Sequence, residues 1–409
     1  MGVFHKLSMT IALISLMALL VPFPVARADE AVTFPDPHLQ ARVREAIEKP
    51  VGDIYRSDLI GLTNLSANSE GITDLSGLEY CTSLTYLSLA YNEIGDISQL
   101  SSLASLNYLN LHVNRVSDIS PLSKLTSLTQ LSLAENQVSD ISYLSNLTKL
   151  AELSLSENQI SDLSPLSKLT GLTELEIQNN RISDLSPLSN LTGLTRLYFW
   201  RNQVSDLSPL SNLTSLTDLR FGYNQVSDLS PLSKLTRLTE LQMGGNKLSD
   251  ISPLSKLTSL AHIYLWSNQI SDLSPLSKLT NLTYISLWRN RITDISPLVE
   301  NSGLGKGATV DLAENPLDAK SVDVYIPQLE QRGVNLGWGT SHPTIPTPTP
   351  KPTPLTTPPP EVTPPPTPPP TPTPTPKQEA PLNIWVIVGP ILGVLATSGV
   401  VYYILRRRK

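Results

Sequence analysis

Along most of the chain, apolar side chains return on a fixed schedule. The frame LTQLSLAENQVSDISYLSNLTK at 128–149 recurs around asparagines at 92, 114, 136, 158, 180, 202, 224, 246, 268 and 290, a spacing of 22 residues each time. Counted from each Asn, apolar residues stand at −8, −5 and −3 and again at +2, +5, +8 and +11, with Asp at +4. A fixed period in the twenties predicts a stacked solenoid. The L-x-L core predicts a short strand with leucines inward and x residues outward, paired in parallel with its neighbours ~4.8 Å away. The Asn turns the chain out of the strand and can satisfy backbone groups left unpaired there. Asp206-Leu207-Ser208-Pro209 and its counterparts predict a capped 3₁₀ turn. A unit this short has no room for a crossover helix, so such turns form the convex side.

Two outer copies are degenerate: Leu62, Leu65 and Ile72 match Leu84, Leu87 and Ile94 with Glu70 in the Asn slot, and Val310, Leu312 and Asn315 restore the frame 25 residues after Asn290. Solenoid ends expose core and need caps. FPDPHLQARVREAI (34–47) predicts a helix with Asp36 as N-cap, Pro37 in the first turn, and Leu39, Val43, Ala46 and Ile47 inward. NPLDAKSVDVYIPQLEQRG (315–333) predicts a second helix with Val322, Tyr325, Ile326 and Leu329 inward, interrupted at Pro327, and Val334–Trp338 a last strand. These repeats and the N-terminal helix resemble leucine-rich repeats of the 22-residue bacterial type found in internalins, over residues 33–338. The resemblance implies an α/β fold: a right-handed leucine-rich-repeat arc with a parallel β concave face, 3₁₀ turns on the convex face and a helical cap at each end. No immunoglobulin-like module follows the repeats.

The termini read differently. Leu7–Val25 is an apolar run ending in Ala26-Arg27-Ala28, the pattern of a cleaved secretory signal. Residues 343–376 are nearly all Pro and Thr and predict an extended stalk that cannot form a core. Ile384–Leu405 carries no charge and is long enough to span ~30 Å of hydrocarbon; Arg406, Arg407, Arg408 and Lys409 after it place that end in the cytoplasm. The expected order is signal peptide 1–28, N-terminal cap 29–60, solenoid 61–316, C-terminal cap 317–340, stalk 341–381, transmembrane helix 382–405 and basic tail 406–409. The expectation is a single-pass cell-membrane protein with its N-terminal ectodomain outside.

The net charge of −6 becomes more acidic once a signal containing Lys6 and Arg27 is removed, which argues against nucleic acid as partner. Cys81 is alone, so no disulfide forms within the chain. It aligns with Leu103 and Leu125, a core position. The five histidines are isolated, no pair has metal-ligand spacing, and Gly303-Leu304-Gly305-Lys306-Gly307 lacks the Ser/Thr of a phosphate loop. The Asp at +4 recurs in every copy and is scaffold. Glu135, Glu152, Glu157, Glu174 and Glu176 form an acidic face without the cleft a hydrolase pair needs. The sequence therefore predicts no enzyme, no cofactor and no metal.

The informative columns are the outward positions. LYFWRN at 197–202 shares its frame with LSLAEN at 131–136 yet carries Tyr198, Trp200 and Arg201 where the other has Ser, Ala and Glu. Trp200, Trp266 and Trp288 stand at −2; Tyr198, Arg220, Gln242 and Tyr264 at −4; Arg201, Tyr223 and Arg289 at −1; His262 and Tyr284 at −6. Alternation sends the −2 column to solvent, and exposed aromatics mixed with Arg have the composition of binding hot spots. Gly222, Gly244 and Gly245 lie between Trp200 and Trp266, which predicts a notch ~14 Å wide floored by glycine. These twelve residues form the expected partner-binding surface of an adhesion protein. The occupant is an extracellular protein; the alternative is a carbohydrate or envelope component stacked on Trp266 and Trp288.

Overall fold

The computed structural model describes residues 29–339. The expected signal peptide, stalk, transmembrane helix and basic tail lie outside the described residues, as does the end of the expected C-terminal cap. Among the described residues, no helix is long and apolar enough to cross a membrane.

The repeats wind into one parallel sheet of thirteen strands in strict sequence order. They are β3 (Asn64–Ser66), β4 (Tyr86–Ser88), β5 (Tyr108–Asn110), β6 (Gln130–Ser132), β7 (Glu152–Ser154), β8 (Glu174–Glu176), β9 (Arg196–Tyr198), β10 (Asp218–Arg220), β11 (Glu240–Gln242), β12 (His262–Tyr264), β13 (Tyr284–Ser286), β14 (Thr309–Asp311) and β15 (Asn335–Gly337). The register advances by one whole repeat at each step, as in Leu197↔Leu219↔Leu241. Every residue therefore stands beside its equivalents, and a column in the sequence is a ladder in space. Each strand is only three residues long because an inward leucine at −5 between two outward residues is all the frame supplies before the chain turns.

The asparagines join consecutive turns. Asn202 Nδ2 donates to the Phe199 carbonyl of its own repeat and to the Ile177 carbonyl one repeat earlier, while its Oδ1 accepts from the Ile182 amide. These are the backbone groups that the turn strands inside the arc, and the amide side chain supplies both donor and acceptor. On the convex side, the Ser208 amide and hydroxyl both donate to Asp206, opening the 3₁₀ turn Ser208–Leu210. The pattern recurs in successive repeats, and the final copy widens into helix Ser296–Glu300. The interior is a continuous column of leucine, isoleucine and valine, with Phe199 and Phe221 stacked within it at 5.5 Å. Cys81 is buried there, and burial, reinforced by Glu79, pushes its thiol up to about 12.

At the first end, β1 (Ala31–Val32) and β2 (Ile54–Tyr55) form an antiparallel pair beside helix α1 (Pro37–Ala46) and the short helix α2 (Arg56–Leu59). Asp36 caps α1: its Oδ1 accepts from the His38 and Leu39 amides, and its Oδ2 accepts from the Thr73 and Asp74 amides of the first repeat. Leu39 and Val43 are buried, but Ala46 is exposed and Ile47 only half-buried, so the inward stripe is shorter than its spacing suggested. At the far end a π-helical turn, Ser321–Tyr325, changes to α-helix at Ile326–Gln331, where Pro327 lacks the amide that would continue the earlier register. Ile326 and Leu329 are buried there, whereas Val322 and Tyr325 are half-buried.

Candidate functional site

The twelve residues share the concave side of β9–β13 and the turns that follow, in three tiers. On the strands themselves, Tyr198, Arg220, Gln242 and Tyr264 are half-buried, His262 is exposed, and Tyr284 is buried. Tyr284 is thus not an outward contact residue. Its ring packs 4.9 Å from that of Tyr264, and burial, with Asp311 next, raises its phenol. Arg220 is committed to its neighbours: its guanidinium donates to both oxygens of Asp218 at 2.9 and 2.8 Å and lies 3.0 Å from Glu240. Tyr198 donates its hydroxyl to Asp218 at 2.7 Å, and Arg220 stacks over the Tyr198 ring. Arg220 therefore holds Tyr198, Asp218 and Glu240 as one unit and has little capacity for an outside ligand. Asp218 and Glu240 were not among the expected site residues; their signal was an acid in the −6 column beside Arg at −4.

The second tier differs from expectation. The −2 column is not solvent-facing: Ala90, Ala134, Ser156, Gly222 and Gly244 are buried, and Trp200, Trp266 and Trp288 are half-buried. Simple alternation fails because the strand ends at −4 and the chain has begun to turn. The residue at −1 takes a left-handed conformation in successive repeats, with φ of 54° at Arg201, 55° at Tyr223 and 59° at Arg289. That turn folds the −1 side chains back over the −2 column.

The notch is also closed further than the sequence implied. The Trp266 ring lies directly over Gly244, where a Cβ would overlap it, and a Cβ on Gly245 would meet Tyr223 at 2.9 Å and Trp266 at 3.3 Å. Both glycines thus seat side chains, and Gly222, the third, is itself buried. What replaces the notch is a ladder. Trp288 stacks on Trp266 with centroids 5.6 Å apart and planes within 15°. Trp266 meets Tyr223 edge-on at 4.9 Å. Arg201 then bridges Tyr223 and Trp200, 5.3 and 5.4 Å from their ring centroids. Five side chains from four repeats form one continuous run. Arg289 is exposed at its end, and Gln242 stands in register between Arg220 and Tyr264.

A second aromatic group, outside the expected set, occupies β4, β5 and the turns that follow them. Tyr86 and Tyr108 stack at 4.4 Å, and Tyr91 meets His112 edge-on at 5.0 Å. Between the two groups lie the acidic residues. Glu174 is buried and ion-paired with Arg196, and Glu176 accepts from the Ser154 hydroxyl. Glu135 and Glu157 are exposed at neighbouring −1 positions. Among the described residues, no group of three His, Cys, Asp or Glu side chains is arranged to hold a metal ion.

The family model described as leucine-rich repeats (2 copies) matches residues 104–146, 126–168, 148–190, 170–212, 192–234, 214–256 and 258–300, and a leucine-rich-repeat model matches 80–97. An internalin (inlF) of Listeria monocytogenes is 37% identical, covers 77% of this chain and 94% of its own, and superposes with a TM-score of 0.73. The chain belongs to the internalin family. A second Listeria monocytogenes internalin, internalin C2, is 35% identical, with coverage of 59% and 100% and a TM-score of 0.47. The leucine-rich-repeat ectodomain of the Arabidopsis thaliana receptor kinase GASSHO1/SCHENGEN3 shares the fold at 23% identity, with coverage of 65% and 36% and a TM-score of 0.53. No curated protein matches the chain.

Proposed function

We propose that this internalin is a surface-anchored adhesion protein that binds a protein partner through the concave face of β9–β13. The observation that carries this reading is the run Trp200, Arg201, Tyr223, Trp266 and Trp288, held in place before any partner arrives. Rings fixed by their neighbours lose little side-chain entropy on binding, and aromatics with Arg are the residue types that dominate protein interfaces. The plant ectodomain of the same fold was solved in complex with Casparian strip integrity factor 2. The anchor and outward orientation rest on the apolar run Ile384–Leu405, its trailing cations and the N-terminal signal pattern.

The stacking speaks for protein over sugar. A pyranose needs a free ring face, yet Trp266 is stacked against Trp288 and packed edge-on with Tyr223. Catalysis is not part of the reading, because the carboxylates are scaffold caps, ion-paired, or set on an open face. The test is capture of the cell-surface partner by the full chain and by its Trp200→Ala and Trp266→Ala variants, beside a glycan array. Loss of capture in both variants supports the reading. Unchanged capture, or glycan binding that depends on Trp266, sinks it.

A further inference from the structure

The −1 residues form a row of their own along the arc. Each sits in the left-handed turn that follows its strand, and in order they read Tyr91, Val113, Glu135, Glu157, Asn179, Arg201 and Tyr223, with φ of 59° at Tyr91 and between 52° and 55° at the others. Tyr91 and Tyr223 are 55% and 50% exposed, which puts them among the few large hydrophobic residues so exposed in the described structure. They are six repeats apart, so ~29 Å of sheet separates them. Each is braced from behind, Tyr91 by the His112 ring and Tyr223 by Trp266.

Between these two tyrosines the row carries two adjacent acids, Glu135 and Glu157, with Arg201 nearer Tyr223. Glu135 and Glu157 are neighbours one strand spacing apart. Burial, and then Glu135, raises the Glu157 carboxyl, although Asn179, Arg201 and His112 oppose the shift. Asn179 Nδ2 donates to Glu157 at 3.3 Å, and His112 Nε2 lies 3.7 Å from Glu135. Two carboxylates crowded on the sheet, between two braced and exposed rings, make a surface with a definite complement.

We propose that the contact face reaches from Tyr223 back to Tyr91, and that the partner is a protein that sets lysine or arginine over Glu135 and Glu157 and apolar side chains against the two tyrosines. This rests on the protein-binding reading above and deepens it. A cation placed there relieves the repulsion within the pair, and the flanking rings shield the new contact from water. The Arg201 end of the row gives the face a sign along its length, so the partner can dock in one direction only.

The probe is a displayed library of random peptides panned on the full chain. Selected peptides are expected to be rich in Lys and Arg. Tyr91→Ala and the E135K/E157K double variant are expected to weaken their binding at least tenfold, while melting temperatures do not fall and tryptophan near-ultraviolet circular dichroism stays as in the parent. Peptides that need Trp200 and Tyr223 but ignore Tyr91, Glu135 and Glu157 would overturn this proposal and leave the protein-binding reading standing. Peptides indifferent to both groups, or no enrichment at all, would sink both. A concentration-dependent dimer of the full chain that E135K/E157K dissociates would assign the face to a second copy instead.

Discussion

The Trp266 indole rests on Gly244. A Cβ at Gly244 would overlap the ring, whereas a Cβ at Gly222, one strand earlier, would meet the Gly244 carbonyl oxygen first, at 3.0 Å. Two adjacent glycines in one column therefore have different standing: one makes room for a side chain and the other does not. Gly245 has a φ of 70°, but its counterparts at −1 hold the same turn with Tyr, Arg and Glu. What it uniquely supplies is room beneath Tyr223 and Trp266, not backbone freedom.

Gly244→Ala is expected to lift Trp266 off its seat and uncouple it from Tyr223. The near-ultraviolet circular dichroism of the tryptophans should change, with a loss of about 1–2 kcal/mol in urea unfolding. Gly222→Ala should leave the tryptophan signal as it is. Equal effects from the two substitutions would contradict the seating of the ring.

Asn224→Ala removes a side chain that donates to the Phe199 and Phe221 carbonyls at 3.0 Å each and accepts from the Val204 amide at 2.9 Å. These groups are buried, and water cannot replace the bonds without opening the joint between two repeats. The expected cost is about 2–4 kcal/mol in denaturant unfolding. Asn224→Asp should not rescue it, because a carboxylate keeps the acceptor, loses both donors and adds a buried charge.

The scaffold was legible from the sequence because its residues repeat. Leu, Asn and Asp at fixed offsets each answer one local need, so the strands, the asparagine ladder and the 3₁₀ turns all follow from a single copy. The site is what does not repeat, and there the reading was partial. Trp200, Arg201, Tyr223, Trp266 and Trp288 stood out because bulk is conspicuous at positions where the other repeats carry small or acidic residues, and the structure packs these five side chains into one run. The filled notch was not foreseen, since nothing in the order of residues says which way an indole leans. Nor was the commitment of Arg220, because its partners Asp218 and Glu240 stand in a column that the eye passes over as solvated charge. Tyr91, His112 and Tyr86 occupied the same columns but were separated from the tryptophans by three repeats of small, acidic or amide residues.

Val113 is a β-branched residue held at a φ of 52°, a conformation that such side chains disfavour. Val113→Asn is expected to raise stability by about 0.5–1 kcal/mol, since Asn tolerates the left-handed region. Differential scanning calorimetry reads the gain, and a fall in melting temperature would show that Val113 contributes more by packing than it loses by strain.

Asp36 joins the cap to the first repeat. Burial alone would raise its carboxyl, but the amides of Thr73, Leu39, Asp74 and His38 together outweigh burial and hold it below the ordinary 3.8. The stabilisation is present above that value and is lost as pH falls through the lower folded one. Asp36→Ala should cost about 1–2 kcal/mol at neutral pH, with greater protease sensitivity in residues 29–60, and the difference from the parent should shrink in acid. A difference that grows in acid would contradict the cap.

Glu157 has the opposite sign. Its carboxyl titrates above the ordinary 4.5, chiefly through burial and then through Glu135, so the folded state holds its proton more tightly than the unfolded chain does. Stability on this account is greatest below 4.5 and declines as pH rises through the folded value. Glu157→Gln removes the titration. The variant and parent are expected to melt together in acid, and the variant to melt higher at neutral pH, by a small margin because the side chain keeps much of its surface in solvent, which screens the interaction. Melting curves from about pH 3 to about pH 8 check this, and adding Glu135→Gln to the variant should bring little further gain, since the repulsion is already gone. A variant that melts lower than the parent at neutral pH would mean that Glu157 gains more from Asn179 and Arg201 than it loses to Glu135, and the crowding of the acidic pair would no longer stand as a reason for a cationic partner.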